Sequence, residues 1–227
     1  MKVRRRVSTV LICVGALLLA DAVLTLVWQE PISAIYTSIE QNELNSDLNK
    51  TEHAPLSPAE RRALSRLDNN PARVAFLARR LEKHAHEGQP IGHLRIPKLG
   101  EDWVMVEGTS SDSLREGPAH YRDTSLPGTH GTFGVAGHRT TYGAPFRDID
   151  RLRRGDRVVV QMPYATFTYG VEGSKIVDPK AVQVLRRVGH DRIVLSACHP
   201  LYSAAQRIVV FARLENTQAF GTKRLFS

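Results

Sequence analysis

The feature that most constrains this chain is an apolar run close to its N-terminus. Four of the first six residues are basic, and the 22 residues from Val7 to Trp28 that follow are almost wholly apolar. As a helix, such a run extends about 33 Å, enough to cross a hydrocarbon core of roughly 30 Å. Basic residues before a span keep the N-terminus cytoplasmic, so the remainder of the chain is expected outside the membrane.

A second interpretation of the same segment is a cleaved export signal. Asp21 is the only charge in the run, and a carboxylate deep in a membrane span costs about 2.5–3.5 kcal/mol. It lies between Ala20 and Ala22, a small-x-small pattern that signal peptidases cut. The apolar run continues from Val23 to Trp28, which favours an uncleaved anchor. Both interpretations export the rest of the chain.

The net charge of +8 does not indicate nucleic-acid binding. Four positive charges belong to the basic N-terminal cluster, and from Gln29 onward 27 basic residues face 22 acidic ones. No basic stripe interleaved with aromatic residues is visible, and such a stripe is what a nucleic-acid surface requires.

The two cysteines exclude a disulfide-dense scaffold and any four-cysteine metal site. Cys13 lies in the apolar run and Cys198 in the exported part, so the two cannot pair within one chain. An unpaired cysteine on an oxidising side is an intermolecular linker, an inert buried residue or a reactive thiol. All three possibilities stay open on this evidence.

The sequence divides into a basic tail with the membrane segment (1–28), a helical stalk or linker (29–87) and a C-terminal domain (88–227). In the stalk, Ser57 followed by Glu60 forms a capping-box pattern. Asn70 and Pro71 open a stretch with apolar residues at helical spacing. Two short amphipathic helices are therefore predicted in this region.

From Gly88 onward, short apolar runs alternate with turn residues, which predicts a closed barrel or a sandwich with short helices. The tail after Leu214 is expected to be frayed. The predicted strands are Ile91–Ile96, Trp103–Val106, Phe133–Gly137, Arg157–Met162, Thr166–Val177, Arg192–Ala197 and Arg207–Leu214.

Three chemically useful residues stand at strand ends, namely His138, Cys198 and Arg207. An imidazolium stabilises a nearby thiolate, and an arginine can hold a carbonyl oxygen as negative charge develops on it. A cysteine that ends an apolar strand is also common as simple packing. The spacing of the three residues does not show that they converge.

Several segments, in order over residues 88–214, resemble the sortase family. They are GHLRIPKL at 92–99, LREGPAHY at 114–121, LPG at 126–128, VAGHR at 135–139, FRDI at 146–149 and RIVV at 207–210. The runs HRTTYGAPF and CHPLYSAAQR are similar to the class E branch of actinobacteria. One departure is that the family's Thr-Leu-x-Thr-Cys pattern is replaced here by VLSAC at 194–198.

The resemblance implies a mainly β fold, a closed sortase-type barrel of about eight strands with short helices, preceded by a transmembrane helix and a helical stalk. It implies a cysteine transpeptidase with Cys198 as nucleophile, His138 as acid and base, and Arg207 as carbonyl ligand. Tyr121 and Tyr142 are candidates for substrate contact. No cofactor and no metal site is expected.

The partners that the resemblance implies are secreted proteins with a C-terminal sorting signal, Leu-Ala-x-Thr-Gly or Leu-Pro-x-Thr-Gly, cleaved between Thr and Gly. The acceptor is an amine of peptidoglycan or its lipid-linked precursor. The expected location is the cell membrane, single-pass, with the catalytic domain on the extracellular face. Two alternatives remain, a class C-like pilin-polymerising enzyme and an exported non-catalytic binding module of the same fold.

Overall fold

A computed structural model describes residues 2–27, 31–52 and 55–220. Its centre is a closed eight-stranded barrel in the order β1-β2-β3-β4-β7-β8-β6-β5. The strands are β1 Pro90–Ile96, β2 Glu101–Glu107, β3 Ala119–His120, β4 Thr132–Ala136, β5 Arg157–Met162, β6 Ala165–Val177, β7 Arg192–His199 and β8 Gln206–Ala219. The helices are α1 Lys2–Val27, α2 Pro31–Glu52, α3 Pro58–Ser65, α4 Asn70–His84 and α5 Ser111–Glu116. The predicted mainly β barrel with short helices is confirmed.

The N-terminal apolar run forms α1, as its composition predicts. The stretch Arg5–Val23 has a mean hydropathy of 1.9 and none of it is buried against the rest of the protein. By length and composition it is able to cross a membrane. Trp28, the predicted end of the span, lies outside the described residues.

The two predicted stalk helices are α3 and α4, and both begin at side-chain caps. Ser57 Oγ accepts a hydrogen bond from Glu60 N at 3.2 Å, and Glu60 Oε2 accepts one from Ser57 N at 2.8 Å. Asn69 caps α4 by accepting from Ala72 N at 2.8 Å. Apolar residues of both helices, Leu64 and Leu77 among them, belong to the same buried cluster as the barrel interior. The helices therefore share a core with the barrel, while the domain boundary at residue 88 stays a prediction.

The barrel interior is filled by alternate residues of each strand, as period-2 geometry requires. On β7, Ile193, Leu195 and Ala197 face this interior cluster, and on β4 Phe133 and Val135 do. The intervening residues of both strands therefore face the outer surface of the barrel.

Two strand pairings fix the position of the strand ends that carry the predicted site. Strands β4 and β7 are parallel, with Ala136 opposite Ser196, so their carboxyl ends lie at the same edge of the barrel. Strands β7 and β8 are antiparallel, and their register pairs Cys198 with Arg207.

Several elements differ from the sequence-based predictions. Helix α2 occupies the part of the predicted helical stalk in which neither of the two predicted helices was placed, and α5 and the short strand β3 were not predicted. Strand β8 runs to Ala219 rather than ending at Leu214, because its polar end pairs with β6 as far as Ala165. The rest of the predicted frayed tail, residues 221–227, lies outside the described residues.

Candidate active site

The strand ends bring His138, Cys198 and Arg207 to one edge of the barrel. Gly137 N donates a hydrogen bond to Ser196 O at 3.1 Å, which extends the β4–β7 ladder one residue past the end of β4. His138 therefore follows directly where β4 meets the end of β7 that carries Cys198. Arg207 lies opposite Cys198 on β8, and paired side chains of antiparallel neighbours point to the same face.

That face carries a groove of about 90 Å³, whose floor includes Ser196, Val209 and Arg207. Its walls come from Tyr121 and from the β6–β7 connection, which contributes Leu185. Because Cys198 is two residues beyond Ser196 on the same strand, its side chain belongs to the groove's face. Neither Cys198 nor His138 is among the residues that line the groove; its lining ends at Ser196 on β7 and at Arg207 on β8, the residue that pairs with Cys198.

Cys198 is half-buried, whereas its neighbour Ala197 is only 4% exposed and packs in the barrel interior. A threonine at position 197, as in the usual family pattern, would carry its hydroxyl on the interior side of the strand. At position 197 the departure therefore removes a hydroxyl beside the backbone of Cys198 and not from the groove. Val194 lies on the other face of β7, the face of Ser196 and Cys198, and is fully buried there.

The guanidinium of Arg207 is held by the loop that joins β7 to β8. Its Nη1 donates to Ala204 O and to Gln206 O, each at 3.0 Å. Within the described residues, these bonds leave Nε and Nη2 as donors for another acceptor. The arrangement suits a group that binds carbonyl oxygens in the groove.

His138 lies against the ring of Tyr142, with centroids 5.2 Å apart and planes tilted by 43°. The Arg115 guanidinium carbon is 5.9 Å from the centroid of the same tyrosine ring. Burial lowers the pKa of His138, and the positive charge of Arg115 lowers it further. The neutral imidazole is therefore favoured over the imidazolium in the resting protein.

Arg139 was not singled out from the sequence, yet it links the two strands that carry the site. Its side chain is buried, and its Nε and Nη2 donate to Arg147 O at 3.1 and 2.9 Å. Nη2 also pairs with Asp150 Oδ1 at 3.0 Å. On the other side, Nη1 lies 3.5 Å from Cys198 O and 3.4 Å from His199 Nδ1. The sequence feature that indicates Arg139 is its place directly after His138, at the end of the run VAGHR.

His120 serves the scaffold and not the groove. Its ring is buried, with Nδ1 2.9 Å from Glu107 Oε2 and Nε2 3.0 Å from Thr124 Oγ1. That threonine hydroxyl also accepts a hydrogen bond from Gly134 N at 3.0 Å. This buried network fixes the segment before Tyr121 against β4. Across the described parts of the chain, no three His, Cys, Asp or Glu residues cluster as a metal site would require.

Comparison with known proteins adds to this geometry. A family model described as a sortase domain matches residues 94–215. The chain is 32% identical over 131 residues to Sortase D of Bacillus subtilis, covering 56% of this chain and 64% of that protein. It is 34% identical over 143 residues to Sortase SrtE1 of Streptomyces coelicolor, covering 56% and 41%. The chain therefore spans less than two-thirds of the length of these curated relatives.

A solved structure gives the same result at the level of the fold. The crystal structure of Sortase E1 from Streptomyces coelicolor, with a tripeptide in its active site, superposes with a TM-score of 0.56 at 32% identity. The superposition covers 58% of this chain and 91% of that one. With a family model that matches more than half of the sequence, the chain belongs to the sortase family.

Proposed function

We propose that this protein is a membrane-anchored cysteine transpeptidase that cleaves a C-terminal sorting signal and transfers the cleaved protein to an amine. The observation that carries the proposal is the strand register. It pairs Cys198 with Arg207, and β4 ends at Ala136, two residues before His138, opposite Ser196 on β7. Membership of the sortase family, whose members are cysteine transpeptidases, supports the assignment.

In the proposed reaction, the Cys198 thiolate attacks the carbonyl carbon between Thr and Gly of the signal. Arg207 donates hydrogen bonds to the oxygen as it becomes negative, a contribution that strengthens in the transition state. When the C–N bond breaks, the imidazolium of His138 gives its proton to the leaving amine, and a thioester on Cys198 remains. The incoming amine then attacks this thioester, loses a proton to His138 and releases the cysteine.

The protonation state of His138 sets the resting form of the site. Because burial and Arg115 lower its pKa, the imidazole is mainly neutral before reaction. It must therefore acquire a proton before it can act as acid. In the proposed mechanism the Cys198 thiol gives it this proton as the thiol becomes the attacking thiolate. A pair that shares one proton gives a bell-shaped dependence of rate on pH.

The groove along β7 and β8 is the proposed site for the sorting signal, with Tyr121 in its wall. We propose Leu-Ala-x-Thr-Gly as the preferred signal, with Leu-Pro-x-Thr-Gly as the related form, in line with the class E resemblance. Tyr142, against the His138 ring, is proposed to contact the residues around the scissile bond. The tripeptide bound in the active site of Sortase E1 supports a peptide substrate.

The proposed acceptor is an amine of peptidoglycan or of its lipid-linked precursor. The apolar helix α1 supports anchoring in the cell membrane. The basic residues before it support an orientation with the barrel on the extracellular face. In line with the class E resemblance, we propose attachment of proteins to the wall rather than pilus assembly.

Mass spectrometry of the full chain after incubation with a library of sorting-signal peptides tests this proposal. We expect a mass increase equal to an acyl fragment ending in Thr, located on Cys198. Cys198→Ala abolishes the adduct, whereas Cys13→Ala, which changes the other cysteine in α1, leaves it unchanged. Cleavage that persists in Cys198→Ala would show that the proposed nucleophile is wrong.

The role of Arg207 has its own test. Arg207→Ala is expected to lower the acylation rate by about 10²–10³-fold, the effect of removing one oxyanion donor. Arg151→Ala is the matched control, because that side chain is 66% exposed and pairs with Asp148 on the surface. Equal losses in the two variants would remove Arg207 from the mechanism.

A further inference from the structure

Helix α2 lies along the side of the barrel and presents it with an unusually polar face. The residues of this face recur at spacings of four, four, three and four, on one side of the helix. They are Ser33, Thr37, Gln41, Leu44 and Leu48, all buried except Gln41, which is partly buried. Polar groups on a buried helix face need partners, and here the partners are backbone groups of the barrel and its loops.

Gln41 docks the middle of α2 onto an open edge of β2. Strand β3 pairs with β2 only at Val106 and Glu107, so Val104 has no strand beside it on that side. The Gln41 amide takes that place. Its Oε1 accepts from Val104 N at 2.8 Å and its Nε2 donates to Val104 O at 3.0 Å. A further bond from Nε2 reaches Glu116 O at 2.8 Å.

Ser33, near the start of α2, reaches the loop that follows His138. Its Oγ accepts a hydrogen bond from Tyr142 N at 2.8 Å. Tyr142, Gly143 and Ala144 have φ values of 52°, 71° and 47°, three consecutive residues in the left-handed region. Non-glycine residues adopt this conformation only when their surroundings hold them there. The bond to Ser33 is one of the contacts that hold this loop.

Thr37, one helical turn further on, holds the other residue that affects His138. Its hydroxyl, which is fully buried, lies 3.2 Å from Arg115 O and 3.0 Å from Ser33 O. The Arg115 guanidinium lies over the Tyr142 ring, and the His138 ring contacts the same tyrosine. The two hydroxyls of α2 thus bind backbone groups of Tyr142 and Arg115, the ring beside His138 and the charge that lowers its pKa.

The hydrogen bonds of Ser33 and Thr37 lie in the contact between the start of α2 and the loops of the barrel, and both side chains are buried there. A cleft of about 730 Å³ lies between α2, β2 and the loop after His138, lined by Ala34 and Ser38 on one side and Trp103 and Ala144 on the other. Because the cleft leaves these two sides without close packing against each other, the buried hydrogen bonds of Ser33 and Thr37 beside it carry more of the docking. Ser33 and Thr37 are therefore the residues at which the docking is most readily changed.

We propose that α2 positions His138, with Ser33 and Thr37 as positioning residues that hold Tyr142 and Arg115 in place around it. The inference rests on the proposed role of His138 as acid and base. Since α2 begins four residues after α1 ends, the segment that leaves the membrane helix is also the one that braces the site.

The test compares Ser33→Ala, Ser33→Thr and Ser38→Ala in the full chain, reconstituted in phospholipid nanodiscs. Ser38 is the matched control because its exposed hydroxyl donates only within the helix, to Ile35 O at 2.8 Å. Three quantities are measured. They are hydrogen exchange in residues 138–148, the NMR titration of the His138 ring, and the rate of Cys198 acylation by a Leu-Ala-x-Thr-Gly peptide.

Ser33→Ala is expected to speed exchange at Tyr142 N, to shift the His138 titration midpoint and to slow acylation about three- to ten-fold, the worth of one hydrogen bond. Ser33→Thr, which keeps the hydroxyl, is expected to keep the exchange rate, the titration midpoint and the acylation rate at their wild-type values. Ser38→Ala is expected to change none of them. Faster hydrogen exchange at Tyr142 N with an unchanged His138 titration and an unchanged acylation rate would overturn the proposal. The Ser33 contact would then be purely structural. If the wild type forms no acyl-enzyme, the proposed function fails, while the titration still decides whether α2 positions His138.

Discussion

Replacing Arg139 with methionine tests whether its buried guanidinium holds the end of β7, which carries Cys198, to the loop that follows His138. Methionine approximates the length of the arginine stem but lacks its donors. It leaves Arg147 O, which now accepts two N–H groups, and Cys198 O without these partners. Removing one partner from a buried polar contact is costly even where the pair itself contributes little net stability.

The expected loss of stability depends on how exposed to solvent each partner of Arg139 is. Asp150 is 48% exposed on its side chain, so solvent screens its pair with Arg139 and the loss of that pair contributes little. A buried acceptor left unsatisfied costs about 1–3 kcal/mol. The Arg147 carbonyl loses two short bonds and the Cys198 carbonyl one long one, which gives a total of about 3 kcal/mol by the same measure. For a chain of this size that corresponds to a fall in Tm of about 6–12 °C.

Thermal unfolding followed by circular dichroism, on the full chain in detergent, measures this shift. Arg151→Met is the control, since its surface ion pair with Asp148 is worth at most about 1 kcal/mol. Acylation of Cys198 should also slow in Arg139→Met, because the end of β7 and the loop after His138 lose the side chain that hydrogen-bonds to both. A Tm within about 2 °C of that of the control variant would refute the proposed structural role of Arg139.

Two further substitutions examine the loop beside His138. Arg115→Gln removes a positive charge that lowers the pKa of His138, so the pKa rises and the imidazolium persists to higher pH. An NMR titration of the ring checks this, and an unchanged or lower midpoint would contradict it. Gly143→Ala places a methyl group against the Trp103 indole at φ 71°, so we expect a loss of about 2–3 kcal/mol in the free energy of unfolding. Gly155→Ala, at φ 91° with open space around it, should lose only about 1 kcal/mol, and equal losses would exclude the clash.

Most of the barrel was predictable because its strands carry the signals that sequence patterns report. Their apolar residues alternate or run together, and turn residues separate them. Strand β3 was missed because it has two residues, Ala119 and His120, and its existence depends on partners on either side. The end of β8 was missed because residues 215–218 are polar and become a strand only by pairing with β6.

Helix α2 was missed for a different physical reason. Hydrophobic periodicity finds a helix whose buried face is apolar, but three of the five residues on this face are Ser33, Thr37 and Gln41. Those side chains bond to backbone groups of Tyr142, Arg115 and Val104. Such partners lie far away in sequence, so no local pattern indicates them.

For the candidate site, the sequence predicted which residue types could do the chemistry, but it did not predict that they lie together in the fold. His138, Cys198 and Arg207 were each identified by type and by their place at strand ends, with the family resemblance choosing among the alternatives. What joins them is the parallel pairing of β4 with β7 and the antiparallel register of β7 with β8. Register between strands is a tertiary property, and nothing in the local sequence near Cys198 fixes it.

The parallel ladder between β4 and β7 has a consequence for how this protein can be altered. Neighbouring strands are held about 4.8 Å apart by their hydrogen bonds, so the relative position of the two strand ends that precede His138 and carry Cys198 is set by the β4–β7 pairing and not by the long segment that connects them. The connection from Asp178 to Asp191, which walls the groove through Leu185, is one part of that segment. Arg186 O, which accepts hydrogen bonds from Thr132 Oγ1 and Arg192 Nη2, ties this connection to β4 and β7. Under the proposed function, substitutions at its groove-lining side chains such as Leu185 are therefore expected to change the preferred peptide without moving the strand ends.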